Sequence, residues 1–153
     1  MDIDDIDRAI LKALQKNGRI TNADLAETVG LSPSACSRRL DILEKSGVIE
    51  GYTARISPEA LGYKMVAIVQ ISLSGQFART LAEFEEAVKR CPNIIVCYMV
   101  SGVYDYTLRV AAKDLKDYER IRRDWLSALP HVVQINSSFA LRPIIERINV
   151  GID

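Results

Sequence analysis

The feature that most constrains this chain is a pair of short helical patterns within residues 19–52. Thr21 and Ser32 are residue types that cap helix N-termini, and Gly30 is typical of a helix end. Pro33 suits the first helical position, where its missing N–H would have no helical partner. About three residues separate the two helices. This spacing predicts a helix-turn-helix.

A third helical pattern precedes the pair. Apolar residues recur at helical spacing from Ile3 to Leu14, and Gly18 follows as a stop. Three short helices of this kind can share one small core. We therefore predict a helix-turn-helix (winged-helix-like) domain over residues 1–50.

The second helix of the pair leaves a polar face that suits DNA. Cys36, Leu40 and Leu43 form its apolar stripe, so small and basic residues lie on the other side. A helix of this kind fits the major groove, and its free N-terminal N–H groups suit a phosphate. The residues expected to contact DNA are Thr21, Asn22, Ser32, Ser34, Ala35, Ser37, Arg38 and Arg39.

Two of these residues have competing interpretations. Arg38 points away from the stripe and could pair with a guanine edge or a phosphate. Arg39 lies close to the stripe, which favours a structural clamp over a base contact. The simpler alternative for the whole segment is a helical hairpin packed on another element, with both arginines in solvent.

Charge and composition narrow the class of protein. The chain has 20 basic and 20 acidic residues, and residues 1–56 carry 8 and 9, a net charge of −1. One such unit binds DNA weakly, so we expect several units to act together. No apolar run reaches the roughly 18 residues of a membrane span. The acidic start lacks a secretory signal, so we expect a cytoplasmic protein without a membrane partner.

Metal and cofactor chemistry has little support in the sequence. Cys36, Cys91 and Cys97 share no metal-ligand spacing, and His131 is the only histidine. We expect no metal site and no cofactor. The cysteines Cys36 and Cys97 are interpreted as small core residues.

The remaining chain changes to a strand-rich pattern. Residues 51–63 are predicted to form a linker strand. Residues 64–153 then show the order β-α-β-β-α-β of a ferredoxin-like domain, which makes the fold class α+β. Helices cover one face of such a sheet, and its strands are largely apolar, so we expect self-association.

The last strand is predicted to have two distinct faces. Val133, Ile135, Phe139 and Leu141 are expected on one face. The opposite face is expected to carry Gln134, Asn136 and Ser138.

Nearly the whole chain resembles the leucine-responsive regulatory protein/AsnC family, the feast/famine regulators of bacteria and archaea. The matching stretches are IDRAILKALQKNGRITNADLA, VGLSPSACSRRLDILEKSGVIEGYTA, VSGVYDYTLRV and Leu129-Pro130, in the family's order. The resemblance implies a DNA-binding helix-turn-helix and a ligand-sensing domain. It also implies dimers that assemble into octamers, regulation by a free amino acid, and association with the nucleoid.

The same resemblance implies an effector site at the turn Gly102–Asp105, where two dimers meet. Gly102 permits close approach, Tyr104 offers an apolar wall, and Asp105 could accept from an α-ammonium group. The polar face of the last strand could complete the pocket from the neighbouring dimer. The predicted effector residues are Met99, Gly102, Val103, Tyr104, Asp105, Gln134, Asn136 and Ser138.

Two alternatives concern this turn. A plain β-turn, with Asp105 bonding its own loop, also fits the spacing. If the turn does bind an effector, Val103 matters, because the family often has an acidic residue at this position. An apolar residue there disfavours a basic effector and favours leucine, isoleucine, valine, methionine or phenylalanine.

Two alternative functions remain, and the second occurs with this same two-domain plan. One is a DNA-compacting protein without an effector. The other is a tetrapyrrole decarboxylase, which would need positioned acid or base groups. A single histidine in a predicted loop argues against that enzyme.

Overall fold

The computed structural model describes residues 2–146 and 150–152, which form two compact units. The first unit comprises the described residues up to Arg55 together with those from Ile145 onward. The second unit spans Ile56–Ile144.

The first unit contains the three predicted helices. They are α1 (Asp5–Lys16), α2 (Asn22–Val29) and α3 (Pro33–Lys45). The Thr21 hydroxyl accepts from the Asp24 N–H at 3.2 Å, and the Ser32 hydroxyl accepts from the Ala35 N–H at 3.3 Å. Each bond satisfies an N–H that the helix itself leaves unpaired. Both predicted N-caps are confirmed.

The connection between α2 and α3 is short because Gly30 adopts a left-handed conformation, with φ of +70°. Glycine takes this conformation without a steric penalty, so the chain reverses directly into the Ser32 cap. The helices then enclose a small apolar core, whose fully buried members are Ile10, Leu25, Ala26, Cys36 and Leu43. The helix-turn-helix prediction is confirmed.

The predicted linker strand at residues 51–63 is wrong. Residues 51–57 have no regular structure, and a short 3-10 helix follows at Glu59–Leu61. Gly62 ends that helix with φ of +86°. An extended segment becomes a strand only when its backbone pairs with another strand. Residues 51–61 are instead exposed and have no such pairing.

The second unit has the predicted β-α-β-β-α-β order. Its elements are β1 (Met65–Leu73), α4 (Ala78–Val88), β2 (Ile94–Met99), β3 (Tyr106–Ala112), α5 (Leu115–Asp124) and β4 (Val132–Phe139). The four strands form one antiparallel sheet in the order β2-β3-β1-β4. The ferredoxin-like prediction is confirmed.

The core of this unit lies between the two helices and one face of the sheet. Alternate side chains of β1 and β3 are buried there, in line with the two-residue period of a strand. Phe84 of α4 packs against Tyr106 with ring centroids 4.5 Å apart. Tyr118 and Ile121 of α5 are buried in the same cluster.

A β-bulge corrects the predicted faces of β4. Leu73 pairs with Val132, whereas Ser72 pairs with Gln134, so Val133 has no partner and is 64% exposed. The prediction that Val133 shares a face with Ile135 is therefore wrong, because the extra residue shifts the alternation. Leu141 lies beyond the end of the strand and is also exposed.

The rest of β4 follows the prediction. Ile135 pairs with the buried Ile71, and the Phe139 ring packs edge-on against Tyr118. Residues of the opposite parity face away from the helices; they are Gln134, Asn136 and Ser138. This polar face lies beside the end of the sheet that carries the predicted effector turn.

Candidate functional site

The outer face of α3 presents small polar groups and one arginine. Ser34, Ser37 and Arg38 are exposed, and the stripe residues Cys36 and Leu43 are buried. No ion pair joins Arg38 to another described residue. Arg38 is therefore available to an anionic partner, and the sequence prediction of an outward-facing cation is confirmed.

Arg39 is held in a clamp between two helices. Its Nη1 donates to Asp4 Oδ2 at 2.7 Å and to Asp7 Oδ1 at 2.8 Å. Asp4 and Asp7 also cap α1 reciprocally, each accepting from the other's N–H. The bond from the Asp7 N–H and the Arg39 guanidinium lower the pKa of Asp4, and the two carboxylates raise the pKa of Arg39. The clamp interpretation is confirmed, and a DNA contact by Arg39 stays a prediction.

The predicted contact residues on α2 brace the turn. Thr21 donates to Asp24 Oδ2 at 2.7 Å while it caps the helix. Asn22 Nδ2 donates to the Pro33 carbonyl at 2.8 Å, which joins the start of α2 to the start of α3. Asn22 Oδ1 is buried without a partner. The bond from Asn22 to Pro33 did not follow from the sequence, because it joins residues of two elements.

The predicted effector turn lies at one end of the sheet. The Val100 N–H donates to the Asp105 carbonyl at 2.9 Å and closes the turn. Gly102 has φ of +120°, a conformation that other residues rarely adopt, and the space beside its Cα is open. Val103 at the tip is 89% exposed, and Met99 before the turn is exposed as well.

Asp105 joins this turn to the connection between β1 and α4. Its Oδ2 accepts from the Leu73 N–H at 2.7 Å, and its Oδ1 accepts from Gln76 Nε2 at 2.8 Å. The Asp105 N–H donates to the Ile71 carbonyl at 2.9 Å. The alternative in which the Asp105 side chain bonds its own loop is therefore wrong. The carboxylate positions the connection between β1 and α4 beside the turn.

Tyr104 joins the turn to the polar face of β4. Asn136 Nδ2 donates to the Tyr104 hydroxyl at 3.1 Å and to Gln70 Oε1 at 3.2 Å. We expected Asn136 to reach the turn of a neighbouring molecule, whereas here it contacts Tyr104 of its own chain. Gln134 and Ser138 lie on the same face of the sheet.

The three cysteines, the other candidate reactive residues of the sequence, are part of the packed structure. Cys36 and Cys91 are buried and Cys97 is half-buried, and all three are free thiols. Burial, with a smaller contribution from Glu85, raises the pKa of Cys97 to about 11. Within residues 2–146 and 150–152, no three potential ligands are grouped for a metal ion. The described helices include none long and apolar enough to cross a membrane.

Two family models match this chain. The Lrp/AsnC ligand binding domain matches residues 66–150, and a winged helix-turn-helix DNA-binding model matches residues 3–50. Across the described part of the first unit no strand is present that would form a wing. Together the two matches cover both units.

The relatives of the chain are regulators of transcription. It is 39% identical to the proline dehydrogenase transcriptional activator of Rhodobacter capsulatus, over 95% of this chain and 94% of the relative. It is 40% identical to the leucine-responsive regulatory protein of Escherichia coli strain K12, over 86% and 80%. Among solved structures, a transcriptional regulator from Neisseria meningitidis in complex with L-Met has a TM-score of 0.92 and 33% identity, over 98% of this chain and 97% of that chain.

Proposed function

This chain belongs to the Lrp/AsnC family of transcriptional regulators, and from that premise we propose that α3 reads operator DNA and that a free apolar amino acid regulates this binding. As a family member, the protein is a transcriptional regulator with a DNA-binding domain and an amino-acid-binding domain. It is not an enzyme, since its relatives are regulators.

The proposed DNA contact centres on Arg38 and the α3 N-terminus. Arg38 supplies an exposed cation on a face that carries the small residues Ser34 and Ser37. The clamp through Arg39 sets the orientation of α3 relative to α1, so Arg39 acts as a positioning residue. Two α3 helices of a dimer then read two half-sites of one operator.

Assembly strengthens this binding. The net charge of −1 in residues 1–56 makes each unit a weak DNA binder. Linking several units makes later contacts intramolecular and raises the overall affinity. We propose dimers that assemble further, up to octamers, through the second unit, in the cytoplasm and on the nucleoid.

The proposed effector site is the turn Gly102–Asp105. Its main support is that an open glycine backbone stands next to the exposed apolar side chain of Val103. Backbone N–H groups there suit an α-carboxylate, and Val103 suits an apolar side chain. The Neisseria relative was solved with L-Met, an amino acid of the proposed class. Tyr104 and Asn136 border the turn on its polar side.

A binding screen against the twenty amino acids tests the effector. We expect one or more apolar amino acids to raise the melting temperature of the protein, since a ligand that binds only the folded state stabilises it. The variant Val103→Asp should weaken this binding about tenfold, because it places a charge in the apolar wall. Leu115→Asp is the matched control, since Leu115 is an exposed apolar residue that follows the opposite end of β3.

The screen also has results that contradict the proposal. If none of the twenty amino acids changes the melting temperature or the oligomer size, the protein works without an effector, as a DNA-compacting protein would. If Val103→Asp and Leu115→Asp weaken binding equally, the effector binds away from the turn. Asp105→Ala is less informative here, because its carboxylate also holds Leu73 and Gln76.

A further inference from the structure

We infer that Phe77, a residue without a role in the proposed function so far, is a specificity-determining residue that contacts the apolar side chain of the effector. This inference rests on the proposed effector site and extends it to a second loop. The loop is the connection between β1 and α4, residues 74–77, and is called the β1–α4 loop below.

The β1–α4 loop is fixed to the effector turn by one carboxylate. Both oxygens of Asp105 accept from its base, at 2.7 Å from the Leu73 N–H and at 2.8 Å from Gln76 Nε2. Phe77 is the residue directly after Gln76. The position of Phe77 relative to the turn is therefore set by two short hydrogen bonds to a charged acceptor, the stronger kind of hydrogen bond.

The sheet topology places Phe77 at the same end as the predicted effector turn. Ile71 near the end of β1 pairs with Tyr106 at the start of β3, and Met99 at the end of β2 pairs with the same residue. The turn that carries Val103 connects those two strands. The β1–α4 loop leaves β1 at this end, so Phe77 and the exposed Val103 both lie at this end of the sheet.

Phe77 has no evident role in its own chain. It occupies the N-cap of α4, where a side-chain oxygen is favoured, and it makes no capping hydrogen bond. Its side chain is 80% exposed, so it adds little to the core. One edge of the ring packs over Gly75, where an added Cβ would lie 3.5 Å from the ring. The ring is thus held against the loop backbone, and the rest of its surface is uncovered.

The chemistry of the region favours an amino-acid side chain as the group that covers this surface. The polar groups of an amino acid would bind at the open backbone of Gly102, so its side chain must extend away from them. Two exposed side chains near Gly102, those of Met99 and Val103, are apolar. An aromatic ring on a fixed loop adds a third apolar wall, and such walls discriminate by side-chain size.

Isothermal titration calorimetry on the full chain, with Phe77→Ala, Phe77→Leu and Leu115→Ala, tests this role. The probes are methionine, leucine, valine and alanine. We expect Phe77→Ala to weaken the tightest-bound large amino acid about tenfold while binding of alanine changes little, since alanine does not reach the ring. Phe77→Leu should keep most of the affinity, and Leu115→Ala should match the unmodified protein.

The outcomes separate this inference from the proposed function. If the unmodified protein binds none of the four amino acids, the proposed effector site fails for this class of ligand. If it binds them and Phe77→Ala leaves every affinity unchanged, or weakens all four equally, the specificity role of Phe77 is overturned and the effector site stands. A smaller oligomer for Phe77→Ala without ligand, at unchanged amino-acid selectivity, would mean that a second copy of the chain covers the ring, which also overturns the inference.

Discussion

The two units of this protein place their functional residues in different ways. In the helix-turn-helix, the exposed face of α3 follows from caps and a stripe within about 20 consecutive residues. In the second unit, the turn Gly102–Asp105 obtains its neighbours from β1, the β1–α4 loop and β4, which lie about 30 residues away along the chain. The difference implies that a local sequence pattern describes the DNA-binding face well and the effector site poorly.

The largest expected effect concerns the second unit, where the effector turn contacts residues that are distant in sequence. Asp105→Ala leaves the Leu73 N–H without its acceptor and frees the β1–α4 loop. A partly buried donor that loses a charged partner costs about 2 kcal/mol, so we expect the free energy of unfolding to fall by that amount. Urea denaturation measures the change.

Asp105→Asn is the control for this experiment. It keeps one carbonyl acceptor for the Leu73 N–H and should restore most of the stability. If Asp105→Ala unfolds at the same urea concentration as the unmodified protein, the carboxylate does not hold the two loops together. The contrast between the units would then lose its main support.

The next effect concerns the first unit, where a local sequence pattern predicts the exposed face of α3. Arg38→Ala should weaken operator binding about tenfold, and the slope of log affinity against log salt should become shallower by about one if Arg38 contacts a phosphate. Arg38→Lys keeps the charge but not the planar guanidinium, so it separates a phosphate contact from a base contact. Gel-shift titrations at several salt concentrations measure both quantities.

The matched control for Arg38 lies in the other unit. Arg122 of α5 is an exposed arginine outside the helix-turn-helix, and Arg122→Ala should leave the affinity and the salt slope unchanged. Equal losses for Arg38→Ala and Arg122→Ala would mean that overall charge, and not the face of α3, determines binding. The local interpretation of α3 would then fail.

The smallest expected effect is a pH dependence at the Arg39 clamp, a long-range feature of the first unit. The pKa of Asp4 in the folded protein lies below its usual value of 3.8, because the Asp7 N–H and Arg39 stabilise the carboxylate. Because the pKa of Asp4 is lower in the folded than in the unfolded protein, its carboxylate stabilises the fold at pH values above the unfolded-state pKa. This stabilisation is lost as the pH falls through the folded-state pKa. The difference in stability between the unmodified protein and Arg39→Met should therefore shrink below about pH 4.

Thermal unfolding of both proteins between pH 3 and pH 7 measures this difference. Lys45→Met is the control, because Lys45 pairs with Asp41 within α3 and leaves the clamp intact. A difference that stays constant down to pH 3 would show that Arg39 acts through packing and not through its charge. The clamp would then no longer count as an electrostatic link between α1 and α3.

The sequence by itself determined the three helices of the first unit and the outward face of α3. Thr21 and Ser32 cap the helices, Gly30 reverses the chain, and the stripe that includes Cys36 is buried, as predicted. The order of strands and helices in the second unit was also predictable. All of these features depend on contacts between residues close in sequence or on the period of a single element, which a linear pattern contains.

Only the tertiary structure decided which distant groups meet. The partners of Arg39 and Asp105, the bulge that exposes Val133 and the missing linker strand at residues 51–63 did not follow from the pattern. Each depends on strand register, on the packing of one helix against another, or on whether a backbone finds a pairing partner. Register, helix packing and strand pairing are set by the whole packed chain. One inserted residue or one absent partner strand changes which side chains are neighbours, although the local sequence pattern stays the same.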